Sequence, residues 1–127
     1  MAALVNDLIR SLHKSSLVRS VRIVGYDETP NGKLEIKIRC RLVGKYKLQL
    51  WLHEEENFRS YAYQLFTDHP ILRWDNSPHY PNISSAPHHF HNEAGEVGAS
   101  PLAGKPLQDL KSVLRDIEKW LSKRGAI

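Results

Sequence analysis

The stretch that most constrains the fold is Lys33 to Leu42, K-L-E-I-K-I-R-C-R-L. Leu34, Ile36, Ile38, Cys40 and Leu42 alternate without a break with Lys33, Glu35, Lys37, Arg39 and Arg41. Side chains of a strand point to opposite faces with a period of two, so this pattern demands a strand with one face on a core and a basic face turned away from it. A helix cannot sort residues of that period onto two sides.

Such a strand needs neighbours, and the flanking sequence supplies them. Thr29-Pro30-Asn31-Gly32 is turn chemistry: proline presets φ, and Asn-Gly tolerates positive φ. Before it, Leu17 to Asp27 is rich in Val and Ile and reads as a strand. After the Val43-Gly44-Lys45 turn, Tyr46 to Glu54 alternates again, with Leu48, Leu50 and Leu52 inward and Lys47, Gln49, Trp51 and His53 outward. Phe58 to Thr67 is an aromatic-rich fourth strand whose pattern leaves either face open to burial. Asp68-His69-Pro70 turns the chain into a short fifth strand, Ile71 to Asp75. Connections this short make chain neighbours antiparallel partners.

The ends are helical. Leu4, Val5, Leu8, Ile9 and Leu12 form one stripe over residues 2–14, and Leu107, Leu110, Val113, Leu114, Ile117, Trp120 and Leu121 form another behind Pro106. The prediction is an α+β fold: a five-stranded antiparallel meander sheet with N- and C-terminal amphipathic helices packed on one face. At 127 residues the chain reads as one domain, 1–127. Residues 76–104 form a long His/Pro-rich loop, with Asn92 to Gly98 its most mobile part. The open sheet face carries Lys37, Arg39, Arg41 and Lys47, with Trp51 and His53 beside them.

Several function classes fall away. Cys40 is the single cysteine and lies on the apolar side of its strand, so it is core rather than a nucleophile or a disulfide partner. There is no phosphate-binding glycine motif, nucleophile elbow or CxxC pair. No apolar run reaches membrane-spanning length and no leader pattern opens the chain, which leads us to expect a cytoplasmic protein away from membranes. A net charge of +4 points mildly to an anionic partner such as nucleic acid.

Chemistry concentrates between Arg73 and His91, R-W-D-N-S-P-H-Y-P-N-I-S-S-A-P-H-H-F-H, which holds four of the seven histidines. Pro78, Pro81 and Pro87 argue against regular structure there. One reading is metal-free acid–base work on RNA. His88 or His91 and His79 would exchange protons, Arg73 would grip phosphate, and Asp75 would orient an imidazole or pair with Arg73. Another is zinc held by His88, His89 and His91 with Asp75 or His79. Adjacent residues of an extended segment face opposite ways, so at most His89 and His91 share a side. The plainer reading makes the histidines hydrogen-bonded surface residues and R-W-D-N an ion pair over a core tryptophan, with Asn76 forming a turn. Lys37 and Arg39 on the open face suit phosphate contacts, and Trp51 suits base stacking.

R-W-D-N-S-P-H and P-H-H-F-H, with Y-A-Y-Q-L-F before them and the closing amphipathic helix after, resemble the TumE-like family of small prokaryotic toxins. The resemblance covers about half of the chain, and the turn D-H-P departs from the ordinary Gly or polar turn expected there. It implies the toxin half of a toxin–antitoxin pair, a cognate antitoxin as partner, and RNA or translation as target. By motif it singles out Arg73, Asp75, Asn76, His79, His88, His89 and His91. The expectation is a metal-independent endoribonuclease with Arg73, Asp75, His79, His88 and His91 catalytic and Lys37, Arg39, Asn76 and His89 binding substrate. No metal ligands are assigned, zinc is the alternative cofactor, and a homodimer is left open. The helices or the basic face would dock an acidic antitoxin segment. Two alternatives stand beside this reading: a non-catalytic nucleic-acid- or metal-binding module, and a toxin that modifies its target instead of cleaving it.

Overall fold

A computed structural model describes residues 2–127. The elements are α1 (Ala3–Lys14), β1 (Val18–Glu28), β2 (Leu34–Leu42), β3 (Lys47–Glu55), β4 (Phe58–Phe66), β5 (Pro70–Asp75), β6 (His89–His91), β7 (Val97–Ala99) and α2 (Pro106–Lys123). All the strands join one sheet in chain order, each antiparallel to the next. The sheet therefore has seven strands where the sequence predicts five. The two extra strands are three residues each, too short for alternation to register and set among prolines. The Asn92 to Gly98 segment closes their hairpin. Asn92 Oδ1 accepts from the N–H groups of Ala94 and Glu96, and the Asn92 N–H donates to the Glu96 carbonyl.

The alternation of β2 is realised as predicted. Leu34, Ile36, Ile38, Cys40 and Leu42 are buried beside Leu48, Leu50 and Leu52 of β3. Register settles the ambiguous fourth strand: Tyr61 pairs with Leu52 and Tyr63 with Leu50, so Tyr61, Tyr63 and Leu65 join the core face, followed by Leu72 and Trp74 of β5. Val5, Leu8 and Leu12 of α1 and Leu110, Val113, Ile117 and Leu121 of α2 belong to the same cluster, so both helices cover this face. Each fully buried Leu or Ile contributes about 1.5–3 kcal/mol relative to exposure, which is why the helix stripes settle here. Those stripes are thereby used up by the core.

The opposite face is read off the same register. One row runs Arg22, Arg39, Gln49, Gln64, Arg73, His91 from β1 to β6. The next runs Lys37, Trp51, Ala62, Asp75, His89. Gly32 and Gly44 occupy the hairpin turns with φ of 90° and 62°, where a side chain would be strained.

Candidate active site

The two rows meet at the β5–β6 end of the open face. Asp75 is the last residue of β5 and His89 the first of β6, and they are register partners. Arg73 and His91 are partners one pleat away, on the same side. H-x-H on a strand and R-x-D on its neighbour thus bring four candidate side chains together with no long-range coincidence beyond one strand pairing. The loop between the strands folds back over them. The Tyr80 ring lies 4.7 Å from the His89 ring and 5.8 Å from that of His91, centroid to centroid.

The cleft so formed is about 490 Å³, and its walls include Trp51, Arg73, Asp75, His79, Tyr80, His89 and His91. Ala62 stands between Trp51 and Asp75 in its row, and its small side chain makes the floor. Any larger residue there would fill the space between the tryptophan and the carboxylate.

Asp75 is the hub, with its side chain only 7% exposed. Its Oδ1 accepts from the Ser77 N–H at 3.0 Å, and its Oδ2 accepts from Arg73 Nε at 2.8 Å. Burial pushes its carboxyl upward, but the Ser77 and Arg73 bonds outweigh this and hold it below the usual aspartate range. Arg73 also donates from Nη1 to Gln64 Oε1 at 3.0 Å, leaving Nη2 for a ligand. His91 Nε2 is 3.6 Å from Asp75 Oδ2. Burial lowers the His91 pKa, against the opposing pull of Asp75.

His89 is the unusual member. It is 1% exposed, and its Nδ1 lies 3.1 Å from the Pro87 carbonyl. A carbonyl only accepts, so Nδ1 donates to it, and Nε2 is the ring nitrogen turned toward Asp75. Nε2 lies 2.9 Å from Asp75 Oδ1 but out of line for a hydrogen bond, and it has no other partner. A buried polar atom left in that state costs about 1–3 kcal/mol.

The structure regroups the predicted residues. His88, expected to share proton transfer with His91, lies on the opposite, helix-facing side. Its Nδ1 is 2.7 Å from the Tyr61 hydroxyl, and the two rings stack at 5.8 Å. Burial holds the Tyr61 phenol well above its ordinary pKa, so it keeps its proton beside the imidazole. Strand alternation between His88 and His89 enforces the separation. Conversely His89, expected to contact substrate, is buried at the centre of the cluster. Asn76, also expected to bind substrate, is engaged with the protein: Oδ1 accepts from the Tyr61 N–H at 2.9 Å and Nδ2 donates to the Arg59 carbonyl at 2.8 Å. It extends the β4–β5 ladder by one side chain. His79 is exposed at the cleft mouth. Lys37 and Arg39 lie on the open face away from the cluster, and Arg39 Nε and Nη2 both donate to Gln49 Oε1. Sequence reasoning did not find Tyr80, Ala62 or Gln64; each acts through a strand register or a loop closure that no local pattern announces.

A protein-family model described as toxin TumE matches residues 7–121, nearly the whole chain. The chain belongs to the TumE toxin family. Comparison with curated proteins and with solved structures finds no match. Membership of the family makes this chain a toxin, and a toxin of this kind implies a cognate antitoxin. Among the described residues no helix is long and apolar enough to cross a membrane.

Proposed function

We propose that this toxin acts on RNA and cleaves a phosphodiester in the Asp75 cleft. The observation that carries the reading is the continuity of one row. Cations and amides run from Arg22 through Arg39, Gln49 and Gln64 to Arg73 and end at His91, with the buried Asp75 and His89 beside it in the neighbouring row. Lys and Arg along a strand face track a phosphate backbone, and a flat aromatic beside them stacks a base of any identity. Trp51 sits in the neighbouring row at the cleft edge, its Nε1 tied to Glu35 Oε1.

Within the cleft, Arg73 Nη2 would meet a phosphate oxygen while Nε and Nη1 keep the guanidinium fixed. Asp75, His89 and His91 form the reacting centre. His79, exposed at the mouth, is placed to return a proton to the leaving oxygen. Catalytic residues are drawn here from a loop and two strand ends over a rigid sheet, an arrangement that keeps the reacting groups in place. Because both helices spend their apolar stripes on the core, the cationic face is the surface left for an acidic segment of the antitoxin, and covering it would also exclude RNA.

The test is incubation of the purified chain with total cellular RNA beside Arg73→Ala and Asp75→Asn variants whose folding is verified by circular dichroism. Cleavage by the parent and a loss of about 10²-fold or more in Arg73→Ala is the expected result. Intact RNA from the folded parent would overturn the reading and favour modification of another target.

A further inference from the structure

We infer that Asp75, His89 and His91 form a site for a divalent transition-metal ion, with zinc the occupant best matched to the donors. The inference deepens the RNA-cleaving reading by assigning a cofactor to its reacting centre, and the metal site itself stands on geometry alone. The three donor atoms, one carboxylate oxygen and two imidazole nitrogens, lie within 4.8 Å of one another.

His89 is the second, independent observation. Its ring is fixed by the Nδ1–H bond to Pro87, the backbone support that orients a metal-binding imidazole and leaves Nε2 as the ligand atom. That Nε2 is buried, unpartnered and on the wall of the cleft. Its 2.9 Å separation from Asp75 Oδ1, off the hydrogen-bond axis, is a poor contact for two protein groups but an ordinary one for two ligands of one ion. Donors about 2.1 Å from a shared ion and about 90–110° apart lie roughly 3.0–3.4 Å from each other. His91 Nε2 lies 3.6 Å from the second carboxylate oxygen, Oδ2, so a modest turn of the carboxylate or closure of His91 brings both imidazoles onto one ion. Ser77 and Arg73 keep the carboxylate ionised and oriented while each oxygen retains a free lone pair.

The donor set selects the ion. Two imidazoles and one carboxylate suit zinc and its first-row neighbours, whereas magnesium and calcium want shells of oxygen. Three protein ligands leave a coordination position open, which is the arrangement of reactive rather than structural zinc sites. Arg73 and His79 line the same cleft, where the proposed RNA phosphate would sit.

The test uses the full chain, stripped with EDTA, desalted and titrated separately with Zn²⁺ and Mg²⁺. We expect one zinc per chain by elemental analysis and a rise in melting temperature on the order of 10 °C at about a hundredfold excess over Kd. Magnesium should give no comparable shift. His91→Ala should weaken zinc binding at least about tenfold. His69→Ala, which removes an exposed ring paired with Asp68, should leave it unchanged and so separates this site from adventitious surface binding. Nitrogen NMR of the wild-type imidazoles provides a readout independent of any variant's folding: zinc should move the Nε2 resonances of His89 and His91 together. Zinc that leaves those resonances and the melting temperature unmoved would overturn the site. RNA cleavage that persists in EDTA with no metal bound would overturn the assignment of the ion as cofactor of the reacting centre and leave the RNA reading standing. Zinc seated on these residues with RNA left intact would overturn the RNA reading and leave the site standing.

Discussion

Replacing His88 and His91 separately should produce opposite phenotypes, although both belong to one short P-H-H-F-H motif. In His88→Ala the Tyr61 hydroxyl loses its hydrogen-bond partner. Tyr61 is only 2% exposed, so the stranded O–H costs about 1–3 kcal/mol. Loss of the stacked ring pair adds about 0.5–1.5 kcal/mol. The sum, about 1.5–4.5 kcal/mol, corresponds to a melting temperature lower by roughly 6–18 °C for a chain of this size. A second change, Tyr61→Phe, removes the stranded hydroxyl and should recover part of the loss, because deleting both partners of a buried hydrogen bond is far milder than deleting one. RNA cleavage measured well below the melting temperature should stay within a few-fold of the parent, since nothing of His88 reaches the cleft. In His91→Ala the fold should be kept and cleavage should fall by at least about 10²-fold. Urea denaturation monitored by tryptophan fluorescence gives the stabilities, and a gel assay on total RNA gives the activities. A His88→Ala protein of parental stability that no longer cleaves RNA would refute the assignment of the two histidines to different faces and different work.

Asn76→Ala should cost about 1–3 kcal/mol in the same denaturation assay, because its amide satisfies the Tyr61 N–H and the Arg59 carbonyl; an effect on RNA affinity without an effect on stability would restore it to the substrate-binding set. Arg39→Ala should weaken RNA binding and lower the slope of log affinity against log salt by roughly 0.7, while single-turnover cleavage of saturating RNA stays near the parental rate; an unchanged salt slope would place the RNA elsewhere. Burial pushes the Cys40 thiol up to about 12. It should therefore resist a thiol reagent at pH 8 in the native chain and react only in denaturant, and rapid native labelling would contradict its place in the core.

Much of the fold was legible locally because β2 and β3 are amphipathic with a period of two and are joined by turns whose residues have few other uses. A pattern of that kind states both the element and its buried face. The limits appear where a pattern is short or ambiguous. Phe58 to Phe66 carries aromatics on both pleats, and only pairing with β3 put Tyr61 and Tyr63 inward and Ala62 outward. His89–His91 and Val97–Ala99 are three residues each, below the length at which periodicity can be counted, and they exist as strands because β5 offers an edge to pair with.

The candidate site divides the same way. The residue types and the stretch that holds them were set by sequence alone: R-x-D and H-x-H are each same-face pairs wherever they are extended, and the rule that His88 must oppose His89 follows from pleat geometry without any tertiary knowledge. What tertiary structure decided is which pair meets which. The β5–β6 register laid His89 against Asp75 and His91 against Arg73, turned His88 into a partner of Tyr61, gave Asn76 to the β4 backbone, and brought Tyr80 down over the cluster. Those are contacts between segments whose alignment is chosen by the burial of Trp74 and Phe90 on the other face, and no local pattern encodes a choice made by the packing of the opposite side of a sheet.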